Sequence, residues 1–145
     1  MISLPGIYIH VPFCRSKCLY CDFCSVVDCS LIQPYVAAVA KEIEIVAKKQ
    51  YDEIHSVDTI YLGGGTPSLL KAEDIESILR AVKMHFSVAN DAEITIEANP
   101  ESITEQKLQA WKKSGINRIS IGGQSCNDEV LHWLGRPHCA QDIQR

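Results

Sequence analysis

Three cysteines near the N-terminus, Cys14, Cys18 and Cys21, form a C-x3-C-x2-C run. Thiolates are soft ligands that suit iron–sulfur clusters and zinc. A [4Fe–4S] cluster has one more iron than these cysteines could ligate, so one iron would stay open. Because an open coordination position is typical of a catalytic metal, the spacing predicts a metal centre with room for a further ligand.

Two other interpretations of the cysteines stay open. The first is a zinc site completed by Cys24 or Cys29, and the second is a set of reduced, partly buried cysteines without metal. Zinc sites usually add a second close pair of ligands, but Cys126 and Cys139 stand far apart. A disulfide framework is disfavoured by the odd total of seven cysteines.

The elements that must position these cysteines alternate between strands and helices. Strands are predicted at residues 6–11, 57–62, 93–98 and 116–121. Helices are predicted at about 34–49, at 72–86, from a Thr104 cap to Gly115 and from an Asn127 cap to Leu134, with a fifth near Ala140. The third helix is expected to bury Leu108 and Trp111. This alternation predicts an α/β fold with a parallel sheet and right-handed crossovers.

The two faces of the predicted strands differ in polarity. One face is aliphatic and carries Ile7, Ile9, Ile60, Leu62, Ile94, Ile96, Ile119 and Ile121. The other is polar and carries Tyr8, His10, Thr59, Tyr61, Glu93, Thr95, Glu97, Arg118 and Ser120. A sheet covered by helices on both faces would be apolar throughout. The pattern therefore predicts a partial barrel with helices outside and a polar interior.

In such barrels the active site lies at the carboxyl ends of the strands. The cysteine run follows the first strand, the Gly-Gly-Gly-Thr-Pro segment at 63–67 follows the second, Glu97 ends the third and Gln124 follows the fourth. Taken singly, the glycines could form an ordinary turn and Glu97 could be a solvated carboxylate. Their convergence on one rim predicts a binding site.

These segments resemble a known family. The run from Tyr8 to Cys14, the cysteine run and the residues 20–23, together with 63–67, 93–100 and 119–124, resemble radical S-adenosylmethionine (SAM) enzymes. Within that superfamily they resemble the oxygen-independent coproporphyrinogen III oxidases and the related heme chaperones. The resemblance covers nearly the whole chain and implies about four βα units, the N-terminal half of a radical SAM partial barrel. Because the family has further units and a C-terminal domain, we expect this chain of 145 residues to be a truncated part of such a core, with one sheet edge exposed.

The resemblance also implies cofactors and the residues that hold them. Cys14, Cys18 and Cys21 would ligate a [4Fe–4S] cluster, whose open iron takes SAM and whose electron generates a 5′-deoxyadenosyl radical. The implied SAM-binding residues are Tyr8, Tyr20, Gly64, Gly65, Thr66, Glu97, Gln124 and Arg136. Glu97 would hold the ribose hydroxyls and the glycine segment would meet the amino group. From the residues alone, Gln124 could be a loop amide and Arg136 a surface cation.

The details favour the heme chaperone branch. Phe23 stands where the oxidases carry a fourth cysteine, and Cys24 lies one place too late to be that ligand. Gly123 and Cys126 replace the family's valine and phenylalanine beside Gln124, which could loosen its placement. The resemblance to this branch implies heme as a further cofactor, bound through segments beyond residue 145, while His138 and Cys139 are expected to be incidental.

The resemblance implies heme or a porphyrin as partner and an electron donor such as a flavodoxin or ferredoxin. An anaerobic coproporphyrinogen III oxidase and, from another class, a structural zinc-binding module are the alternatives. A formal net charge of −4 with 22% charged residues gives no electrostatic footprint for nucleic acid. No apolar run is long enough to span a bilayer and no secretory signal is seen, so a reducing, cytoplasmic location is expected.

Overall fold

The computed structural model describes residues 4–49 and 56–144. The strands are β1 (Gly6–Val11), β2 (Ser56–Gly64), β3 (Ser87–Ala98) and β4 (Arg118–Ile121). The helices are α1 (Ile32–Lys49), α2 (Ala72–His85), α3 (Glu105–Ser114), α4 (Asp128–Trp133) and α5 (Ala140–Gln144), with short 3₁₀ turns at Cys29–Leu31, Pro67–Leu69 and Pro100–Ser102. Within these residues no helix is long and apolar enough to cross a membrane.

The strands form one parallel sheet in the order β1-β2-β3-β4, which confirms the predicted α/β fold. Its aliphatic face is covered by helices. The core joins buried residues of that face to those of the first three helices: Ile60, Leu62, Ile94, Ile96, Val36, Ile43, Ile75, Ile78, Leu79, Val82 and Trp111. The other face carries half-exposed polar side chains, including those of Tyr61 and Glu97. The candidate functional side chains therefore lie on the polar face and in the loops at its carboxyl edge.

Four strand ends differ from the prediction. β2 runs from Ser56 to Gly64 rather than over residues 57–62, because Ser56 pairs with Ser87 of β3 and Gly64 with Val11 of β1. The starts of β3 and β4 differ as well. β3 begins at Ser87 rather than at residue 93, because Ser87 and Val88 already pair with Ser56 and Val57 of β2. β4 begins at Arg118 rather than at residue 116, because the Ile116 N–H closes α3 by donating to the Trp111 carbonyl at 3.0 Å.

The predicted caps of the later helices are confirmed. The Thr104 side chain accepts from Lys107 N–H, the Asn127 side chain accepts from two amides of α4, and Gly115 ends α3 at φ +104°. Two burial predictions are wrong. Leu108 is 38% exposed, since it lies about 60° around the helix from the buried Trp111, and Ile121 is 48% exposed at the edge strand of the described sheet.

Tyr35 ties α1 to β1 and gives the fold a testable pH dependence. Its hydroxyl donates to the His10 carbonyl at 2.6 Å, and burial, aided by Glu42 and Tyr8, raises the pKa of Tyr35 to about 12. An unfolded tyrosine ionises near pH 10, so this stabilisation is complete below that pH and is lost as pH rises towards 12. We expect the free energy of unfolding to fall between about pH 10 and 12, and to fall less steeply in Tyr35→Phe. Urea unfolding at alkaline pH measures both slopes, and equal slopes would contradict the assignment.

Candidate functional site

The carboxyl ends of the four strands surround a cavity of about 340 Å³, here called the rim cavity. Its wall is built by the cysteine loop, the glycine segment after β2, the ends of β3 and β4, and the segment after α4. The structure brings together here the three cysteines and seven of the eight residues assigned to SAM: Cys14, Cys18, Cys21, Tyr20, Gly64, Gly65, Thr66, Glu97, Gln124 and Arg136. Residues from four separate loops thus face one space.

The cysteine loop is closed at its base by backbone hydrogen bonds. Cys14 N–H donates to the Val26 carbonyl at 2.9 Å, and Val26 N–H donates to the Pro12 carbonyl at 2.7 Å. Cys14 is buried, Cys18 and Cys21 are half-buried, and none of the seven cysteines, all of which are described, is in a disulfide. Over residues 4–49 and 56–144, no three His, Cys, Asp or Glu side chains are gathered closely enough to hold a single metal ion. The three thiols instead line different parts of the same cavity wall.

The glycine segment packs directly on the cysteine loop. Gly64 has φ +113°, a conformation that glycine adopts at little cost. Gly65 N–H donates to the Val11 carbonyl at 2.7 Å, and a Cβ on Gly65 would lie 2.7 Å from the Phe13 carbonyl oxygen and 3.0 Å from Cys14 Sγ. A side chain here would push the two loops apart, so the contact requires glycine. The Thr66 hydroxyl completes it by donating to Cys14 Sγ at 3.6 Å.

Glu97 is held by two donors from β2. The Tyr61 hydroxyl donates to Oε1 at 2.7 Å, and Gly64 N–H donates to Oε2 at 3.0 Å. The hydrogen bond to Glu97 is the main cause of the raised pKa of Tyr61. Sequence reasoning placed Tyr61 on the polar face but gave it no role; its position on the strand beside Glu97 was the available signal.

Tyr8 is the one SAM-assigned residue that does not line the rim cavity. It is 58% exposed and stacks on Tyr61, with ring centroids 6.0 Å apart and planes at 24°. Its hydroxyl donates to His10 Nδ1 at 3.2 Å, and His10 Nε2 in turn donates to the Cys24 carbonyl at 2.8 Å. Tyr8 therefore contacts Tyr61, which holds Glu97, and is linked through His10 to the cysteine loop.

Arg136 links three walls of the cavity. Nη1 donates to Cys18 Sγ at 3.4 Å, and Nη2 donates to Asn99 Oδ1 at 2.8 Å and to the Gly122 carbonyl at 3.0 Å. Tyr20 lies beside it: burial raises the pKa of Tyr20, the nearby Arg136 charge lowers it, and Cys18 raises it further. Arg136 is therefore not a solvated surface cation, because its guanidinium is hydrogen-bonded to three groups of the cavity wall.

His138 and Cys139 occupy different environments. His138 is buried, and its Nε2 donates to the Gly123 carbonyl at 3.0 Å. Cys139 is exposed, and its thiol donates to Asp142 Oδ2 at 3.2 Å. From the sequence, His138 was expected to be incidental. Glu101, whose carboxylate lies 3.4 Å from the His138 ring, was not singled out, because it belongs to no recognisable motif.

Fold and site together define an α/β protein with three cysteines around a cavity of about 340 Å³ at the carboxyl edge of a parallel sheet. The model of the Radical SAM superfamily matches residues 8–145. The chain therefore belongs to the radical SAM superfamily, and the resemblance inferred from its motifs is confirmed.

Curated relatives narrow the comparison. The chain is 42% identical to the heme chaperone HemW of Buchnera aphidicola, with 95% of this chain and 37% of that protein covered. It is 39% identical to the heme chaperone HemW of Escherichia coli, with 100% and 39% covered. A solved structure of the Escherichia coli coproporphyrinogen III oxidase HemN, a radical SAM enzyme, superposes with a TM-score of 0.85 at 29% identity, with 97% and 33% covered. The chain thus spans well under half the length of these relatives.

Proposed function

We propose that this chain holds a [4Fe–4S] cluster on Cys14, Cys18 and Cys21 and binds SAM beside it. The observation that carries the proposal is the convergence of these thiols, Glu97 and Arg136 on one cavity of about 340 Å³. Membership of the radical SAM superfamily implies both cofactors and supports the same assignment.

The chemistry of the thiol wall fits a cluster. Three soft donors line one cavity, and Cys14 and Cys18 each receive a hydrogen bond, from Thr66 and Arg136. Donors to sulfur stabilise thiolate and tune the reduction potential of a bound cluster. The bound cluster would supply the electron that cleaves the sulfonium carbon–sulfur bond of SAM.

The polar wall fits the groups that SAM presents. Each oxygen of Glu97 uses one lone pair on Tyr61 or Gly64, which leaves a second lone pair to accept from a ribose hydroxyl. The guanidinium of Arg136 suits a carboxylate. Tyr8 and Tyr61 orient Glu97, while Gly64, Gly65 and Thr66 bring backbone close to the ligand.

Heme chaperone activity is the role we assign to the protein, with heme or a porphyrin as its partner. It is supported by the identities of 42% and 39% to heme chaperones and by Phe23 in place of the oxidases' fourth cysteine. A flavodoxin or ferredoxin would supply electrons, and the cytoplasm, which keeps thiols reduced, would be the location. An anaerobic coproporphyrinogen III oxidase is the second candidate, supported by the TM-score of 0.85 to such an enzyme.

Anaerobic reconstitution tests the cofactor assignment. We expect about four irons and four sulfides per chain, with broad visible absorption and an electron paramagnetic resonance signal that changes when SAM is added. One zinc and no iron would instead support a structural zinc module and overturn the proposal. Heme titration, set against product analysis with coproporphyrinogen III, then separates chaperone from oxidase.

A further inference from the structure

The loop after β4 has a strained backbone. Gln124 has φ +64°, the only positive φ outside glycine among the described residues. Ser125 N–H donates to the Gly123 carbonyl at 2.8 Å across Gln124, which closes a three-residue γ-turn. A γ-turn with positive φ at a non-glycine residue is rare and persists only when its surroundings hold it.

His138 holds this turn from outside. Its Nε2 donates to the Gly123 carbonyl at 3.0 Å, so that this one oxygen accepts both His138 and Ser125. The His138 side chain is 0% exposed, and it therefore makes this bond without competition from solvent.

Glu101 lies against the other edge of the ring. Its Oε2 is 3.4 Å from His138 Nδ1, and both atoms are buried without a hydrogen-bond partner. Because Nε2 donates to the Gly123 carbonyl, the carboxylate attracts the ring when Nδ1 also carries a hydrogen, and the imidazolium then lies between these two acceptors. Glu101 belongs to the Pro100–Ser102 turn after β3, so this contact fastens the Gln124 turn to the end of the neighbouring strand.

Arg136 and His138 act on consecutive carbonyls. Arg136 bonds the Gly122 carbonyl and Asn99, while His138 bonds the Gly123 carbonyl and faces Glu101. The segment 136–138 therefore fixes both peptide units that precede Gln124 to the segment after β3.

We infer that His138, oriented by Glu101, is a positioning residue that holds the Gln124 turn and thereby sets the affinity of the rim cavity for SAM. This inference rests on the proposed function for its ligand but not for its geometry. Ile143 of α5 packs against Gly123, with its Cδ1 3.1 Å from where a Cβ would lie, so His138 is the polar contact among the side chains that hold the turn.

The first experiment uses the full chain without metal. Hydrogen exchange of the Ser125 amide is compared in wild type, His138→Leu, His138→Gln and the exposed-histidine control His132→Leu. We expect about tenfold faster exchange in His138→Leu, and near wild-type exchange in His138→Gln, whose amide can replace the Nε2 donor, and in the control. Unchanged exchange in His138→Leu, or no rescue by glutamine, would overturn the inference.

The second experiment measures the SAM dissociation constant after anaerobic reconstitution. We expect His138→Leu to bind SAM about tenfold more weakly at unchanged iron content, with affinity restored in His138→Gln. Equal affinity of His138→Leu and wild type would overturn the inference. If wild type itself bound no SAM, the proposed function would fail, and the exchange result would still decide the role of His138.

Glu101→Gln is a second variant that tests the inference even if His138→Leu fails to fold. It keeps the size of the side chain but weakens the orientation of the ring, so we expect a smaller increase, about threefold, in both the exchange rate and the dissociation constant. Wild-type values for Glu101→Gln would contradict its part in the inference.

Discussion

Replacing Cys18 by serine will abolish cluster assembly. The hydroxyl that replaces the thiol is a hard, weakly acidic ligand, and two remaining thiolates do not retain a [4Fe–4S] cluster. We expect iron to fall from about four per chain to near zero after anaerobic reconstitution, measured by iron and sulfide analysis and by visible absorption. Cys14→Ser and Cys21→Ser should give the same result.

Cys24→Ser is the matched control. Cys24 is exposed, and its contact with His10 uses the backbone carbonyl, which serine retains. We expect full iron content and wild-type thermal stability in this variant. Loss of iron in Cys24→Ser would indicate a site with four thiolates and no open position, which would remove the basis for SAM binding.

Replacing Glu97 by glutamine will weaken SAM binding by about 10- to 100-fold. The carboxylate accepts Tyr61 at one oxygen and Gly64 N–H at the other. Glutamine offers only one oxygen, so its amide group must face one of these donors or turn away from both. Calorimetric titration of the reconstituted chain with SAM measures the change.

Glu93→Gln is the matched control for Glu97→Gln. Glu93 lies on the same face of β3, but its side chain is 51% exposed and pairs with Arg118 at 3.7 Å, so we expect an unchanged SAM dissociation constant. Similar affinities for Glu97→Gln and Glu93→Gln would mean that Glu97 does not contact SAM.

Much of the scaffold could be predicted because its signals are local. The caps at Thr104 and Asn127, the glycine end of α3 and the aliphatic alternation of the strands each act within a few residues, and the structure confirms them. The boundaries of β3 and β4 could not be predicted, since they depend on pairing with β2 and on the closure of α3.

The side-chain contacts within the site could not be predicted, because they join residues that are far apart in the sequence. The bond from Tyr61 to Glu97 joins residues 36 apart, and the approach of Glu101 to His138 depends on how two loops pack. The motif assigned Tyr8 to SAM but did not indicate its stacking on Tyr61, which follows from the register of the two strands. Motifs indicated which residues gather, and only the folded chain shows which of them touch.

The sequential order of the sheet has a consequence for biosynthesis. Each strand pairs with the one made just before it, so the chain can be built up progressively as it leaves the ribosome. Cys18 then emerges 118 residues ahead of Arg136, whose guanidinium donates to its Sγ. Until those residues have been made, the Cys18 thiol lacks the donor that Arg136 supplies in the folded chain.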